Sequence, residues 1–248
     1  MQMIIAPAKK MVVDTDSFTA TALPQFLPAT RQLLAAMRTL TLGQAQTMWR
    51  CSDKLAQQAY RQLQELDLEN AATPAVFGFS GIQYQYMAPD LLTAPALRYL
   101  QTNLRILSGF YGVLRPFDAI VPYRLEMQSR LPLPGAKDLY AFWGSRLHDA
   151  LDFSQPVLNL ASKEYSKAIT NYLQPGEQLT EIVFGQVVDG KFKTRATQAK
   201  MARGAMVRYL AENQINTLSG VCQFDHPQYR FDEARSTATK LVFCRRDS

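Results

Sequence analysis

The basic side chains of this sequence cluster in a way that suits the binding of phosphate groups. Between Asp189 and Glu212 the chain carries six cations and no acidic side chain. These cations are Lys191, Lys193, Arg195, Lys200, Arg203 and Arg208. Such a run forms either a solvated basic face or a surface for a polyanion, and the sequence leaves both interpretations open.

A second candidate binding segment, residues 104–131, combines arginines and tyrosines with glycines and prolines that interrupt regular structure. A helix is predicted from Pro95 to Leu107, and the glycine-bearing turn Ser108-Gly109-Phe110-Tyr111-Gly112 follows it, with Arg115 close behind. This order predicts a helix–hairpin–helix-like element near residues 95–122 that holds a phosphate through backbone N–H groups, Ser108 and Arg115. The alternative is a glycine that merely caps a helix.

Ionisable residues from distant parts of the chain offer a different chemistry, that of an enzyme acting on a small anionic substrate. Such a site would need several of them to converge in one cleft: Lys9, Arg124, Glu126, Lys163, Tyr165, Lys200 and Arg203. The order of residues along the chain does not decide whether they converge.

Several common kinds of site have no support in the sequence. It contains no GxxxxGK[ST] phosphate loop and no GxGxxG after a strand, and GFSGI at residues 78–82 does not fit GxSxG. With two histidines and three scattered cysteines, we expect no metal site, no disulfide and no cofactor. A peroxide-sensing thiol at Cys51, Cys222 or Cys244 stays an alternative.

The elements that must position these residues alternate between short strands and amphipathic helices. Strands are predicted at 1–6, 75–81 and 156–161, and helical periodicity runs through 28–68, 95–107 and 138–151. Asp189-Gly190 predicts a hairpin turn between strands 181–188 and 191–197, and a helix to about Asn213 follows. One or two closing strands are expected after Gly220. This order predicts a mixed α/β (α+β) fold: a single compact domain over residues 1–248, with a mixed sheet, surrounding helices and a β-hairpin near 182–197.

Composition agrees with a globular protein that acts on anionic partners. The 248 residues are 47% hydrophobic and 19% charged, and the net charge is +6. The apolar run at the amino terminus is too short for a signal sequence, and no segment reaches about 18 apolar residues, so a cytoplasmic protein without membrane contact is expected.

The amino-acid sequence resembles the bacterial peroxide-stress YaaA family over almost its whole length. The resemblance includes IIAPAKK, RCSDKLA, LRILSGFYGVLRPFDAIVPYRLEM, KDLYAFWG, VLNLASKEYSKAI, AKMARG and FDEARS. It implies a cytosolic protein that lessens hydrogen peroxide damage and binds DNA through a basic cleft and a helix–hairpin–helix-like element. By position, the element falls on 104–116, and the cleft draws on Arg115, Arg124, Lys163, Lys200 and Arg203. One departure concerns a loop that typically reads FKGDVYTGL, where this chain has Ile82 in place of the acid and Tyr86 in place of a glycine.

Taken together, these observations predict a protein that binds duplex or distorted DNA mainly through phosphates, with little sequence preference. The predicted contacts are Ser108, Gly109, Tyr111, Gly112, Arg115, Arg124, Lys163, Lys193, Arg195, Lys200 and Arg203. The small-substrate enzyme is the alternative function for the same basic cleft.

Overall fold

The computed structural model of the protein describes residues 1–246. Its strands are β1 (Gln2–Ile5), β2 (Thr73–Pro74), β3 (Leu104–Ser108), β4 (Gly112–Leu114), β5 (Ala119–Ile120), β6 (Val157–Leu160), β7 (Leu179–Val188), β8 (Lys191–Lys193), β9 (Tyr229–Phe231) and β10 (Lys240–Arg245). Its α-helices are α1 (Leu27–Arg38), α2 (Leu42–Trp49), α3 (Asp53–Glu65), α4 (Ala75–Gly78), α5 (Ile82–Met87), α6 (Ala94–Asn103), α7 (Leu139–Trp143), α8 (Arg146–Asp149), α9 (Lys163–Thr170), α10 (Ala196–Glu212) and α11 (Leu218–Cys222). Two 3₁₀ turns lie at Pro89–Leu91 and Glu233–Arg235.

The main sheet is mixed and mostly parallel. Its order is β4-β3-β1-β6-β7-β10-β9, and β8 pairs with the far end of β7. Strands β3, β1, β6, β7 and β10 are parallel, whereas β4, β8 and β9 run antiparallel to their neighbours. The central strands β1 and β6 are buried along their whole length, which is typical of parallel strands covered on both faces. The mixed α/β fold class is thereby confirmed, with one continuous hydrophobic core.

The strand order creates a crevice at the carboxyl edge of the sheet. From β1 the chain proceeds to β3 on one side, and from β6 it proceeds to β7 on the other. Neighbouring strands whose connections leave in opposite directions open a gap beyond their carboxyl ends, and such gaps bind ligands in open α/β sheets.

The β-hairpin predicted near 182–197 is confirmed. Asp189 and Gly190 have φ of 53° and 71°, the left-handed values of a two-residue turn that matches the strand twist. β8 ends at Lys193, and α10 begins at Ala196, a little earlier than the sequence predicts. Since β7 pairs with β6 only through residues 179–181, the hairpin extends past the carboxyl edge of the sheet.

The helix predicted to continue to Leu107 is wrong, and so is the helix–hairpin–helix-like element built on it. α6 ends at Asn103, whose side-chain amide donates to the carbonyl of Tyr99 at 2.9 Å. Residues 104–108 form β3 beside β1, and the glycine-bearing turn leads into antiparallel β4. The segment is therefore a helix followed by a β-hairpin.

Two other predicted elements differ from the structure. Residues 75–78, expected to form a strand, make the single helical turn α4, and only Phe79 forms a bridge, with Met11. The predicted helix 138–151 is divided into α7 and α8 at Gly144, which has φ of 54°.

Candidate functional site

A cavity of about 480 Å³ occupies the crevice between the carboxyl ends of β1 and β6. Its walls come from four parts of the chain: the segments after β1 and β6, the start of α5, the extended segment 123–126, and α10. The lining residues are Ala6, Pro7, Ala8, Lys9, Lys10, Ser80, Gly81, Ile82, Gln83, Tyr84, Tyr123, Arg124, Leu125, Glu126, Ser162, Glu164, Tyr165, Lys200 and Arg203.

The basic wall of the cavity is formed by α10, which lies unusually close to α5. A Cβ at Gly204 would lie 2.1 Å from the carbonyl oxygen of Gln83, so only glycine allows this approach. Lys200 and Arg203 are three residues apart and therefore share the helix face that borders the cavity. The glycine thus sets how far the two cations reach toward α5.

The opposite wall consists of the loop after β1 and the segment 123–126. The ammonium of Lys9 lies 3.4 Å from a carboxylate oxygen of Glu126. The indole N–H of Trp49 donates to the carbonyl of Arg124 at 2.7 Å, which fixes the backbone of this segment. Gly109 packs against this segment, and no other residue type fits at position 109 because a Cβ would lie 2.7 Å from the carbonyl oxygen of Leu125.

Three buried donors at this cavity lack acceptors. Within residues 1–246, the buried side-chain polar atoms without a hydrogen-bond partner are Gln83 Nε2, Arg124 Nε and Arg203 Nε. All three residues line the cavity. A buried polar group without a partner costs roughly 1–3 kcal/mol, so its retention calls for an explanation.

Arg203 is a half-buried cation, with its Nε buried, and it has no ion pair among the described residues. Desolvation lowers the pKa of its guanidinium, and the more distant charge of Glu181 only partly opposes this effect. Across residues 1–246, no carboxylate lies within ion-pair distance of this positive charge at the cavity.

The tyrosines of the cavity act as neutral hydrogen-bonding groups. Burial raises the pKa of Tyr84, Tyr123 and Tyr165 above the usual value for a phenol. The hydroxyl of Tyr84 donates to the carbonyl of Ala6 at 3.1 Å, and that of Tyr123 lies 2.6 Å from Ser108 Oγ. This environment therefore disfavours a tyrosine acting as a phenolate base at neutral pH.

A second cavity of about 550 Å³ continues the first toward α1, α2 and α3. The two share Lys9, Lys10, Tyr123 and Arg124. We call the two together the basic groove. Its lining residues include five cations (Lys9, Lys10, Arg124, Lys200 and Arg203) and two acids (Glu126 and Glu164).

Most of the ionisable residues that an anionic site would need do converge. Of the seven considered from the sequence, six line the 480 Å³ cavity, and Lys163 is exposed directly beside it, between Ser162 and Glu164. Lys193 and Arg195 lie at the projecting hairpin and at the start of α10, and both are exposed.

The glycine-bearing turn lies in the core instead of on the surface. Ser108 and Tyr111 have no accessible surface, and Gly109 and Gly112 are also buried. Ser108 Oγ accepts the backbone N–H groups of Phe110 and Tyr111 at 3.1 and 2.9 Å, so these donors serve the turn itself. The turn therefore packs under the segment 123–126 that lines the groove and does not itself face a ligand.

Arg115 lies away from the groove. It follows β4, which runs antiparallel to β3, and the pairing of Leu114 with Ile106 places it near the amino edge of the parallel strands. There it borders a small cavity of about 190 Å³ together with Arg105 and Asp118. It thus lies at the opposite edge of the sheet from Lys200.

Sequence reasoning missed Lys10, Gln83 and Glu164 as lining residues. A signal for Lys10 was present, because a basic pair directly after a buried strand lies at the carboxyl edge of a parallel sheet. Gln83 had no comparable signal, since its position depends on the contact between α5 and α10. Ile82, the departure from the family pattern, also borders the cavity.

Other kinds of site find less support in the structure. Residues 1–246 contain no group of three or more His, Cys, Asp or Glu arranged to hold a metal ion. The three cysteines are half-buried, and burial, with Glu233 nearby, raises the pKa of the Cys222 thiol, which disfavours its thiolate. Among the described residues no helix is both long and apolar enough to cross a bilayer.

Comparisons with known proteins agree on one family. The family model described as "Peroxide stress protein YaaA" matches residues 1–235. A UPF0246 protein of Lactiplantibacillus plantarum is 59% identical over 244 residues, which cover 98% of each chain. UPF0246 proteins of Lacticaseibacillus casei and Pediococcus pentosaceus are 53% and 51% identical, over 98% and 100% of this chain and 99% of each relative.

Proposed function

The chain belongs to the peroxide stress protein YaaA family, and we propose that it binds DNA through the basic groove and thereby limits oxidative damage to DNA. The observation that supports this proposal is the excess of five cations over two acids along the groove. One of the acids, Glu126, is already paired with Lys9. Four cations therefore stay available for phosphates: Lys10, Arg124, Lys200 and Arg203.

The proposed contacts are to the sugar–phosphate backbone. Lysine and arginine heads of this kind fix the position of a duplex without reading bases. Two exposed cations beyond the same edge of the sheet lengthen the positive surface: Arg195 at the start of α10, and Lys193 on the hairpin, where it also lies 3.7 Å from Asp189. Binding that neutralises phosphates is expected to tolerate any sequence and to include distorted DNA.

The salt dependence of binding tests the proposal quantitatively. Each neutralised phosphate contributes a slope of about −0.9 to a plot of log K against log salt concentration, so four contacts give about −3 to −4. Fluorescence anisotropy of labelled duplex DNA across a salt series measures this slope. We expect the double variant Lys10→Gln, Lys200→Gln to bind more weakly and to reduce the slope to about −2.

A control variant with the same net charge distinguishes the effect of the groove cations on DNA binding from the effect of the protein's net charge. Arg98→Gln with Arg115→Gln also removes two exposed cations, but neither borders the groove. This control should keep the wild-type slope. A slope near zero for the wild type, or an equal loss in the control, contradicts the proposal.

A further inference from the structure

We propose that the 480 Å³ cavity between β1 and β6 is a binding site for a small phosphate monoester of about nucleoside monophosphate size, held without any need for duplex DNA. This inference goes beyond the proposed function, because a groove for a duplex needs only exposed cations. The cavity offers buried donors, a concave volume and a helix amino terminus as well.

The position of the cavity favours a discrete anionic group. It lies where the connections of β1 and β6 diverge, the place at which open α/β sheets bind their ligands. α9 starts directly after β6, and the side chain of its N-cap residue Ser162 makes no capping hydrogen bond. The backbone N–H of Tyr165 donates to the carbonyl of Ser162 at 3.0 Å, but within the described residues the N–H groups of Lys163 and Glu164 have neither an intrahelical acceptor nor a side-chain cap. Two such free N–H groups at the start of a helix suit a phosphate.

The donors without acceptors are an independent observation that points the same way. Gln83 is only 7% exposed, lines the cavity and leaves its amide Nε2 without a partner. Arg124 and Arg203 each leave a buried Nε–H unpaired beside the same space. Every one of these groups donates, so the missing partner is a group rich in acceptors. A phosphate monoester supplies several acceptor oxygens and the negative charge that Arg203 lacks.

The acidic residues of the cavity suit the remainder of such a ligand. Glu126 and Glu164 line the same space and accept hydrogen bonds, as sugar hydroxyls or base amino groups would require. A volume of 480 Å³ lies within the range of about 300–1,000 Å³ that is usual for small-molecule sites. The site thus combines donors for a phosphate with acceptors for a polar organic part.

Titration calorimetry of the whole protein tests the inference with three probes: inorganic phosphate, adenosine 5′-monophosphate and adenosine. We expect both phosphate compounds to bind the wild type and adenosine not to bind. Lys200→Gln removes an exposed cation at the cavity and should weaken the binding of adenosine 5′-monophosphate by about 10- to 100-fold. Arg208→Gln, on the same helix but paired with Glu212 outside the cavity, is the matched control and should bind normally.

Gln83→Leu separates this inference from DNA binding. It removes the unpaired amide without changing charge, so it should weaken the binding of adenosine 5′-monophosphate at least several-fold and leave the salt slope for duplex DNA unchanged. Its folding is checked by its melting temperature, which should not fall, because a buried amide without a partner is replaced by an apolar group. Unchanged affinity in Gln83→Leu and Lys200→Gln, or no binding of either phosphate compound to a wild type that binds duplex DNA, overturns the inference. Binding of adenosine 5′-monophosphate with no binding of duplex DNA instead refutes the proposed function and supports the site.

Discussion

The contact between α10 and α5 offers the sharpest test of how the groove is built, through the substitution Gly204→Ala. The added Cβ would lie 2.1 Å from the carbonyl oxygen of Gln83 and 2.9 Å from the Cβ of Tyr86. The first of these atoms belongs to the backbone of a helix and cannot rotate away. α10 must therefore move outward by about 1 Å to restore an ordinary contact distance.

Two opposing effects set the size of the change in stability. Alanine favours a helix interior over glycine by about 1 kcal/mol, whereas forcing extra volume into a packed contact costs about 1–3 kcal/mol or more. Because the buried neighbours Met206 and Val207 move with the helix, the cost should lie at the upper end. We expect a net loss of about 1–2 kcal/mol, which lowers the melting temperature by roughly 2–8 °C for a chain of this length.

Gly43→Ala is the matched control, since Gly43 is also helical but has no atom within 4 Å of its added Cβ. It should stabilise the protein by a few tenths of a kcal/mol up to about 1 kcal/mol. Denaturant unfolding of both variants gives the two free energies, and duplex DNA binding should weaken only in Gly204→Ala because Lys200 and Arg203 are displaced. A Gly204→Ala protein as stable as the wild type, with full DNA affinity, would refute the packing argument.

Two further predictions concern pH. Burial opposes the charged form of His148, but its hydrogen bonds to Asp149 and Glu177, of 2.8 and 2.6 Å, outweigh this and raise its pKa above 6.5. Its contribution to stability is therefore complete below pH 6.5 and lost as the pH rises through the raised value, so urea unfolding of His148→Gln should show a flatter profile from pH 6 to 9. Burial raises the pKa of Asp118 to about 6, against the opposing effect of the Arg115 backbone N–H, so stability should fall as the pH rises from 4 to 6. Asp118→Asn should abolish that fall, and a fall of equal size in the variant would contradict the assignment.

Local chemistry explains which parts of the fold were predictable. The β7–β8 hairpin depends on Asp189-Gly190, whose left-handed backbone is favoured by residue type alone. Likewise Thr41 caps α2, as its residue type predicts: its hydroxyl accepts the backbone N–H of Gln44, and the side-chain oxygen of Gln44 accepts the backbone N–H of Thr41. In both cases the residues that decide the structure are adjacent in sequence.

The boundary between α6 and β3 shows why other parts were not predictable. Leu97, Leu100, Leu104 and Leu107 continue a helical spacing without interruption, so periodicity alone extends the helix. What ends it is the pairing of residues 104–106 with Met3–Ile5, about a hundred positions earlier in the chain. The preference of a segment for strand is largely its fit to neighbouring strands, and no local pattern contains that information.

The two edges of the sheet both carry arginines, but they differ in whether their polar groups have hydrogen-bond partners. At the amino edge, the carboxylate of Asp118 accepts the backbone N–H of Arg115 at 2.8 Å, and the guanidinium of Arg105 donates to the carbonyls of Thr102 and Leu104, so these groups have hydrogen-bond partners within the protein. At the carboxyl edge, Gly204 holds α10 against α5 at a fixed distance, while donors on Gln83 and Arg203 stay without acceptors. A fold that keeps unpaired buried donors beside tightly fitted backbone gives up stability at that point, and natural proteins do so chiefly at functional sites. This contrast in hydrogen bonding, together with the excess of cations along the groove, is the reason for locating the proposed function between β1 and β6.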